Sequence, residues 1–180
     1  MKTITLFRHA KSGWDSPVSR DFDRPINARG IKGSRMMGQH LRNAGWTFDL
    51  VISSPAVRCT ETLDIFWDGY GRILHPKWER RIYLASGASL LDLINELPNE
   101  ASNVFMCGHN PGLEDLLFML VPDVKGDVLR DLVEEKFPTA AVAELVLACD
   151  SWSDVGPGSA QFTRFVRPRD LDATLGPGLD

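Results

Sequence analysis

The chain has 180 residues, 43% hydrophobic and 24% charged, with a net charge of -4. That length suggests one domain, residues 1–180, and is long enough to bury roughly two thirds of the unfolded surface. The acidic balance excludes a protein held to nucleic acid by bulk charge, though not a local basic pocket.

The N-terminus runs MKTITLF straight into RHAKS, without the long apolar region or small-residue cleavage site of a signal peptide. No stretch approaches the roughly 20 apolar residues a membrane helix needs, so a cytoplasmic protein with no membrane partner is expected. Residues 2–8 are β-branched and partly alternating and predict a first strand. His9 to Ile26 holds Gly13, Pro17 and Pro25 among charges and reads as a loop. Asn27 is placed to cap a helix ending near Gly45. Ile31, Ser34, Gly38 and Leu41 fall on one face of it, and the small residues there predict close packing against a sheet.

Asp49 to Ser53 predicts a short buried strand, and Pro55 sits where a helix often begins. Residues 56–67 suit a helix packed on a sheet, 72–75 a further strand, and 87–97 an amphipathic helix stopped by Pro98. Val104 to Cys107 reads as a buried strand, followed after a Gly-Pro turn by a helix over 113–121. Two late strands are expected at 140–148 and 162–166. The tail from Arg167, rich in Pro, Gly and Asp, is expected to be loosely ordered. Strands alternating with helices imply an α/β fold in three layers, a mostly parallel central sheet with helices on both faces.

Three segments each follow a predicted strand: Leu6 to Ser12, Ser53 to Arg58, and Cys107 to Gly112. Ligands of open α/β sheets gather at the carboxyl ends of strands, so Arg8, His9, Arg58 and His109 are expected to meet there. Two guanidiniums offer rigid forks of donors matched to phosphate. A neutral imidazole can attack phosphorus and form a phosphohistidine. Each piece alone has a plainer explanation: Arg58 could be solvated or pair with Glu61, and His109 could be a loop histidine. Their joint placement at strand ends gives them a shared meaning.

Phe7-Arg8-His9-Ala10 resembles the RHG signature of the histidine phosphatase superfamily, which has the phosphoglycerate mutase-like fold. Residues 23–30 (DRPINARG) resemble its RPLTxxG segment, residues 53–62 its SSPxxRxxxT segment, and Gly108-His109-Asn110-Pro111 its second-histidine segment. The RHA variant, the HNPG turn and the short chain resemble the SixA-type phosphohistidine phosphatases. The resemblance implies His9 as nucleophile, with Arg8, Arg58 and His109 completing a phosphate pocket that Ser12 or Lys11 also touches. Ala10 stands where the family usually has Gly, and Ile26 and Asn27 replace Leu and Thr.

The resemblance also implies a general acid, for which Glu79 is the nearest match; Glu79 could equally pair with a neighbouring Arg. Asp21 and Asp23 are the other candidates. Trp14, Trp78 and Trp152 could line a groove or close the core, and Pro138-Thr139 could approach the pocket. Cys59 and Cys107 are expected to point into the core. The three cysteines have neither a disulfide pattern nor a CxxC. No cofactor or metal is implied, because the histidines lack a clustered ligand set. Only about 20 residues separate the Arg58 segment from the next predicted helix. So short a lid leaves an open pocket and favours phosphohistidine on a protein. The alternatives are a broad phosphomonoesterase of the same fold and a phosphate-binding non-enzyme. Nothing in the sequence sets an oligomeric state.

Overall fold

The computed structural model describes residues 1–15 and 17–177. Its strands are β1 (Lys2–Arg8), β2 (Leu50–Ser53), β3 (Lys77–Trp78), β4 (Asn103–Gly108), β5 (Val142–Leu147) and β6 (Ala160–Val166). Its α-helices are α1 (Ala28–Asn43), α2 (Val57–Tyr70), α3 (Gly87–Asn95), α4 (Gly112–Leu120), α5 (Val128–Glu135) and α6 (Pro168–Leu171). The strands form one sheet in the order β3-β2-β4-β1-β5-β6. The first four are mutually parallel, and β5 and β6 run antiparallel at one side.

Strand alternation splits the core into two layers, because successive side chains face opposite sides of a sheet. Ile4, Leu6, Val104 and Met106 face α3 and α4, whose Leu90, Ile94, Leu113 and Leu117 are buried against them. Phe7, Phe105, Cys107 and Val142 face the other way, toward Met37 and Leu41 of α1 and Leu63 and Phe66 of α2. This is the expected α/β sandwich with helices on both faces.

Asn27 caps α1 as expected, its side chain accepting from the Gly30 amide. The face of that helix differs from the reading. Ile31 is exposed, and the buried positions are Gly30, Gly33, Ser34, Met37, Gly38 and Leu41. Ser34 and Gly38, the small residues of the expected face, serve contact with α2 rather than with the sheet. A Cβ on Gly38 would stand 2.1 Å from the Phe66 carbonyl oxygen, and one on Gly69 2.2 Å from that of Arg35. The two backbones touch at a pair of glycines, one from each helix.

Residues 72–75 form no strand; the edge strand is β3, immediately downstream. Helix α5 went unpredicted, since its eight residues bury only Arg130 and Val133. The tail is ordered as far as Pro177. Helix α6 and a 3₁₀ turn at Ala173–Leu175 dock on α1 through a Lys32–Asp172 ion pair at 2.8 Å and Arg29 donating to the Thr174 and Gly176 carbonyls. The remainder of the expected loose tail, residues 178–180, lies outside the described residues, as does Ser16 of the first loop.

Candidate active site

Because β1, β2 and β4 are parallel, their carboxyl ends lie together, and the three motifs leave the sheet side by side. Arg8 is in register with Gly108, and Ser53 with Cys107. The next residues continue the pairing: the His9 amide donates to the Gly108 carbonyl and that of Ser54 to Cys107, each at 3.1 Å. On the far side of β1, the Ala140 amide donates to the carbonyls of Arg8 (3.0 Å) and His9 (3.1 Å). Ala140 adopts a left-handed backbone to do so, with φ 59. Such a conformation is costly for a residue with a Cβ and is held by its surroundings.

His9 and His109 are both buried, with ring centroids 5.2 Å apart. His9 Nδ1 lies 2.8 Å from the Ala10 carbonyl oxygen. A carbonyl only accepts, so Nδ1 carries the proton and Nε2 holds the lone pair. In agreement, Arg58 Nε donates to His9 Nε2 at 3.3 Å. Burial lowers the His9 pKa well below its ordinary value, the Ala10 bond opposes this, and His109, Arg8 and Arg58 lower it further. The imidazole is therefore neutral near pH 7.

Ser54 orients His109. Its hydroxyl oxygen accepts from the Ala56 amide and lies 2.8 Å from His109 Nε2. With the hydroxyl donating to Nε2, His109 Nδ1 is left as an N–H donor. That nitrogen is buried without a hydrogen-bond partner, as is Arg8 Nε. Arg8 itself is anchored by a bond to the Phe137 carbonyl at 2.9 Å. Orphaned buried donors beside a guanidinium suit an anionic guest.

Arg58 is held by Asp21, in a 3₁₀ turn at Asp21–Asp23. Its terminal nitrogens donate to the Asp21 carbonyl oxygen at 2.8 Å and carboxylate at 3.0 Å. The same carboxylate accepts from the Tyr83 hydroxyl at 2.7 Å and Arg24 Nε at 2.9 Å. Burial alone would raise the Asp21 pKa, but the bonds from Tyr83, Arg24 and Arg58 outweigh it and hold the group at about 2. All these residues line one cleft of about 440 Å³, which Lys11, Ser12, Trp14, Leu84, Asn110 and Thr139 complete.

The structure thus brings Arg8, His9, Arg58, His109, Lys11 and Ser12 together, as expected. Ser12 Oγ donates to the Pro25 carbonyl at 2.7 Å and accepts from Arg24 at 3.3 Å. Glu79 does not join them. Its carboxylate is bound by the backbone and guanidinium of Arg81, which lowers its pKa, and it is absent from the cleft lining. The pairing reading holds for Glu79, and the cleft carboxylate is Asp21. Asp23 pairs outward with Arg20. Glu61 accepts from the Ile26 amide rather than from Arg58.

A model of the histidine phosphatase superfamily (branch 1) matches residues 4–81. An uncharacterized protein of Mycobacterium tuberculosis is 32% identical over 164 residues, which cover 90% of this chain and 99% of that one. The candidate phosphohistidine phosphatase SixA of Nakamurella multipartitia superposes with a TM-score of 0.79 at 25% identity, covering 93% of this chain and 96% of that one. Its counterpart from Agrobacterium tumefaciens gives 0.76 at 26%, covering 93% and 99%.

The chain belongs to the histidine phosphatase superfamily. Within it the chain is of the SixA type, a phosphatase that works through a histidine. Ala10, where the superfamily usually has Gly, is accommodated simply. It is fully buried among the α1 and α2 side chains, is not left-handed, and donates its amide to Thr62 Oγ1 at 2.9 Å. Both cysteines beside the site are buried as expected, with Cys59 Sγ 3.6 Å from His109 Nε2. The tryptophans divide: Trp14 stands 79% exposed at the cleft mouth, Trp152 is fully buried in the core, and Trp78 is on the surface.

Tyr83 and Arg24 line the phosphatase cleft beyond the residues assigned a role from sequence, Ser54 stands behind it against His109, and Thr139 reaches the cleft as its segment was expected to. Ser54 lies within a quoted motif, and a hydroxyl at a strand end was its signal. Tyr83 gave none. Among the described residues, no three His, Cys, Asp or Glu side chains are grouped to hold a metal ion. No helix among them is long and apolar enough to cross a membrane.

Proposed function

We propose that this enzyme removes the phosphoryl group from phosphohistidine in a protein, through a covalent intermediate on His9, with residues 1–180 acting as one catalytic domain and without a metal. The observation that carries the reading is the pairing of a neutral His9, its Nε2 lone pair turned to the cleft, with a cleft carboxylate that cannot serve as an acid.

His9 Nε2 attacks phosphorus as the bond from phosphorus to the substrate imidazole breaks. The electron pair of that bond returns to the leaving nitrogen. Arg8, Arg58 and His109 Nδ1–H stabilise charge on the equatorial oxygens, the work a metal does elsewhere. Arg58 Nε gives up its bond to His9 and turns to the phosphoryl oxygens. Water then attacks phosphohistidine-9, inorganic phosphate leaves, and His9 returns to its neutral form.

The leaving group separates this reading from a phosphomonoesterase. An alkoxide needs a proton as it departs. Asp21, the carboxylate lining the cleft, is held at about pKa 2 and is unprotonated near neutral pH. A phosphorylated imidazole protonates readily on its own second nitrogen and leaves as a neutral base, so it tolerates this site. The open mouth between Trp14 and Leu84, respectively 79% and 70% exposed, admits a side chain presented on a protein surface.

The test is rapid-quench trapping with a phosphoramidate labelled on phosphorus, followed by turnover of a phosphohistidine protein and of a small alkyl phosphate, whose alkoxide leaving group needs a proton. Label on the wild type that vanishes in His9→Ala, with kcat/KM highest for phosphohistidine, is expected. Efficient turnover of small phosphoesters with phosphohistidine protein ignored would overturn the assignment in favour of a broad phosphomonoesterase.

A further inference from the structure

Three buried side-chain atoms without a hydrogen-bond partner among the described residues belong to residues that line the cleft: Arg8 Nε, His109 Nδ1 and Asn110 Oδ1. The first two are donors and suit a phosphoryl group, whose ionised oxygens accept. Asn110 Oδ1 is an acceptor, and those oxygens leave it unmatched.

The assignment of that oxygen follows from its own side chain. Asn110 Nδ2 lies 3.1 Å from the Phe137 carbonyl oxygen. A carbonyl only accepts, so the atom facing it is the amide nitrogen and the other is the oxygen. The same Phe137 carbonyl accepts from Arg8 at 2.9 Å, which sets the Asn110 amide beside the guanidinium. The turn that carries Asn110 is pinned as well. A Cβ on Gly112 would stand 2.3 Å from the Ala85 carbonyl oxygen, and the Leu113 amide donates back to the His109 carbonyl at 3.0 Å. Other acceptors around the cleft already hold donors. Asp21 takes Arg58, Tyr83 and Arg24, Ser12 Oγ takes Arg24, and the Ala10 carbonyl takes His9 Nδ1. A buried acceptor left unpaired is costly, and a site that carries one favours a guest that brings the donor.

We propose that Asn110 is a specificity-determining residue, whose Oδ1 accepts a hydrogen bond from the N–H on the second ring nitrogen of the substrate's phosphorylated imidazole. The proposal rests on the phosphohistidine reading above and adds how the leaving group is recognised. As phosphorus joins His9 Nε2, its bond to the leaving nitrogen breaks and the electron pair stays on that nitrogen. The proton on the second nitrogen does not move; it points to Asn110 throughout, and the imidazole departs neutral. A phosphomonoester has no such N–H to offer.

The test compares two substrates on the full chain, a phosphohistidine peptide and p-nitrophenyl phosphate, whose leaving group departs without a proton and carries no N–H. The quantity read is the ratio of their kcat/KM values, from which the fraction of folded enzyme cancels. Asn110→Ala is expected to lower the ratio about tenfold, the loss of one hydrogen bond to a charged group. Asn110→Asp keeps an acceptor oxygen and is expected to hold the ratio at the wild-type level or above. Asn110→Ser, whose hydroxyl falls short of the amide oxygen, repeats the measurement should the alanine variant not fold, with a severalfold fall expected. A ratio unchanged in the alanine or serine variant would overturn the proposal, because bracing Arg8 or holding the attacking water serves both substrates alike. A ratio that falls as far in Asn110→Asp as in Asn110→Ala would overturn it too. Either result leaves the phosphohistidine reading intact. Wild type that turns over p-nitrophenyl phosphate and ignores the peptide would overturn that reading, and this proposal with it.

Discussion

The bond from His9 Nδ1 to the Ala10 carbonyl, 2.8 Å long, settles which nitrogen of His9 faces the cleft with a lone pair. It joins a side chain to the backbone of the very next residue, so the tautomer is fixed by local geometry.

The pH–rate profile follows from that geometry. Burial, His109, Arg8 and Arg58 keep the His9 pKa well below 6.5, so the acidic limb of kcat/KM is expected below pH 6.5. An acidic limb assigned to His9 at or above 6.5 would contradict it. The same shift acts on stability. The unfolded chain binds a proton at this position near pH 6.5 and the folded chain does not, so folding loses ground as pH falls below that value. His9→Ala is expected to lessen the loss in urea titrations between pH 6.5 and 5.

Asp21→Asn tests the clamp on Arg58. Replacing the carboxylate weakens charge-assisted bonds from Arg58 and Arg24, each worth about 1.5–3 kcal/mol in buried settings and less at this half-exposed side chain. A fall of about tenfold in kcat/KM with phosphoramidate is expected, as Arg58 loses its orientation. Asp21 also stabilises the fold above its ordinary pKa of 3.8, and that contribution fades as pH drops toward about 2. Acid unfolding of the variant is therefore expected to be shallower between pH 4 and 2. Unchanged kinetics together with unchanged acid unfolding would remove Asp21 from the clamp.

Glu79→Gln discriminates between the two carboxylates. With its oxygens bound by Arg81 and outside the cleft lining, kcat on phosphoramidate is expected to stay within about twofold of wild type. A tenfold fall, about 1.4 kcal/mol in the barrier, would restore Glu79 as a proton donor.

Gly38→Ala reports on the contact that holds the α1–α2 layer behind the site. A Cβ 2.1 Å from the Phe66 carbonyl oxygen forces two backbones apart, and overpacking of this kind costs about 1–3 kcal/mol. A lower urea midpoint with an unchanged slope is expected. A midpoint equal to wild type would mean that the helices separate freely.

The central cleft residues were legible because they stand at or just after strand ends whose apolar runs are visible in the sequence, and parallel pairing brings those ends together. Asp21 was only one candidate among three, because its position depends on how the first loop is pinned. The Ser12–Ile26 bridge and the Glu61 bond to the Ile26 amide hold that loop, and neither leaves a periodic trace. Glu79 lies near the right strand in sequence, but a neighbouring guanidinium two residues away captures it. The α1 face was misjudged at Ile31 because helical spacing gives a stripe and not its edges. The ordered tail was missed because Pro and Gly read as breakers, whereas Pro168 opens a turn of helix.

The order β3-β2-β4-β1 has a consequence for biosynthesis. β1 and β2 do not pair with each other, and only β4, lying between them, joins the two. A nascent chain that has emerged only through residue 81 carries Arg8, His9 and Arg58, yet has no sheet to hold them side by side. His9 and the Arg58 guanidinium that donates to it become neighbours when residues 103–108 arrive, bringing His109 just behind. Completion of the sheet and assembly of the cleft then fall together, since both need β4 in place.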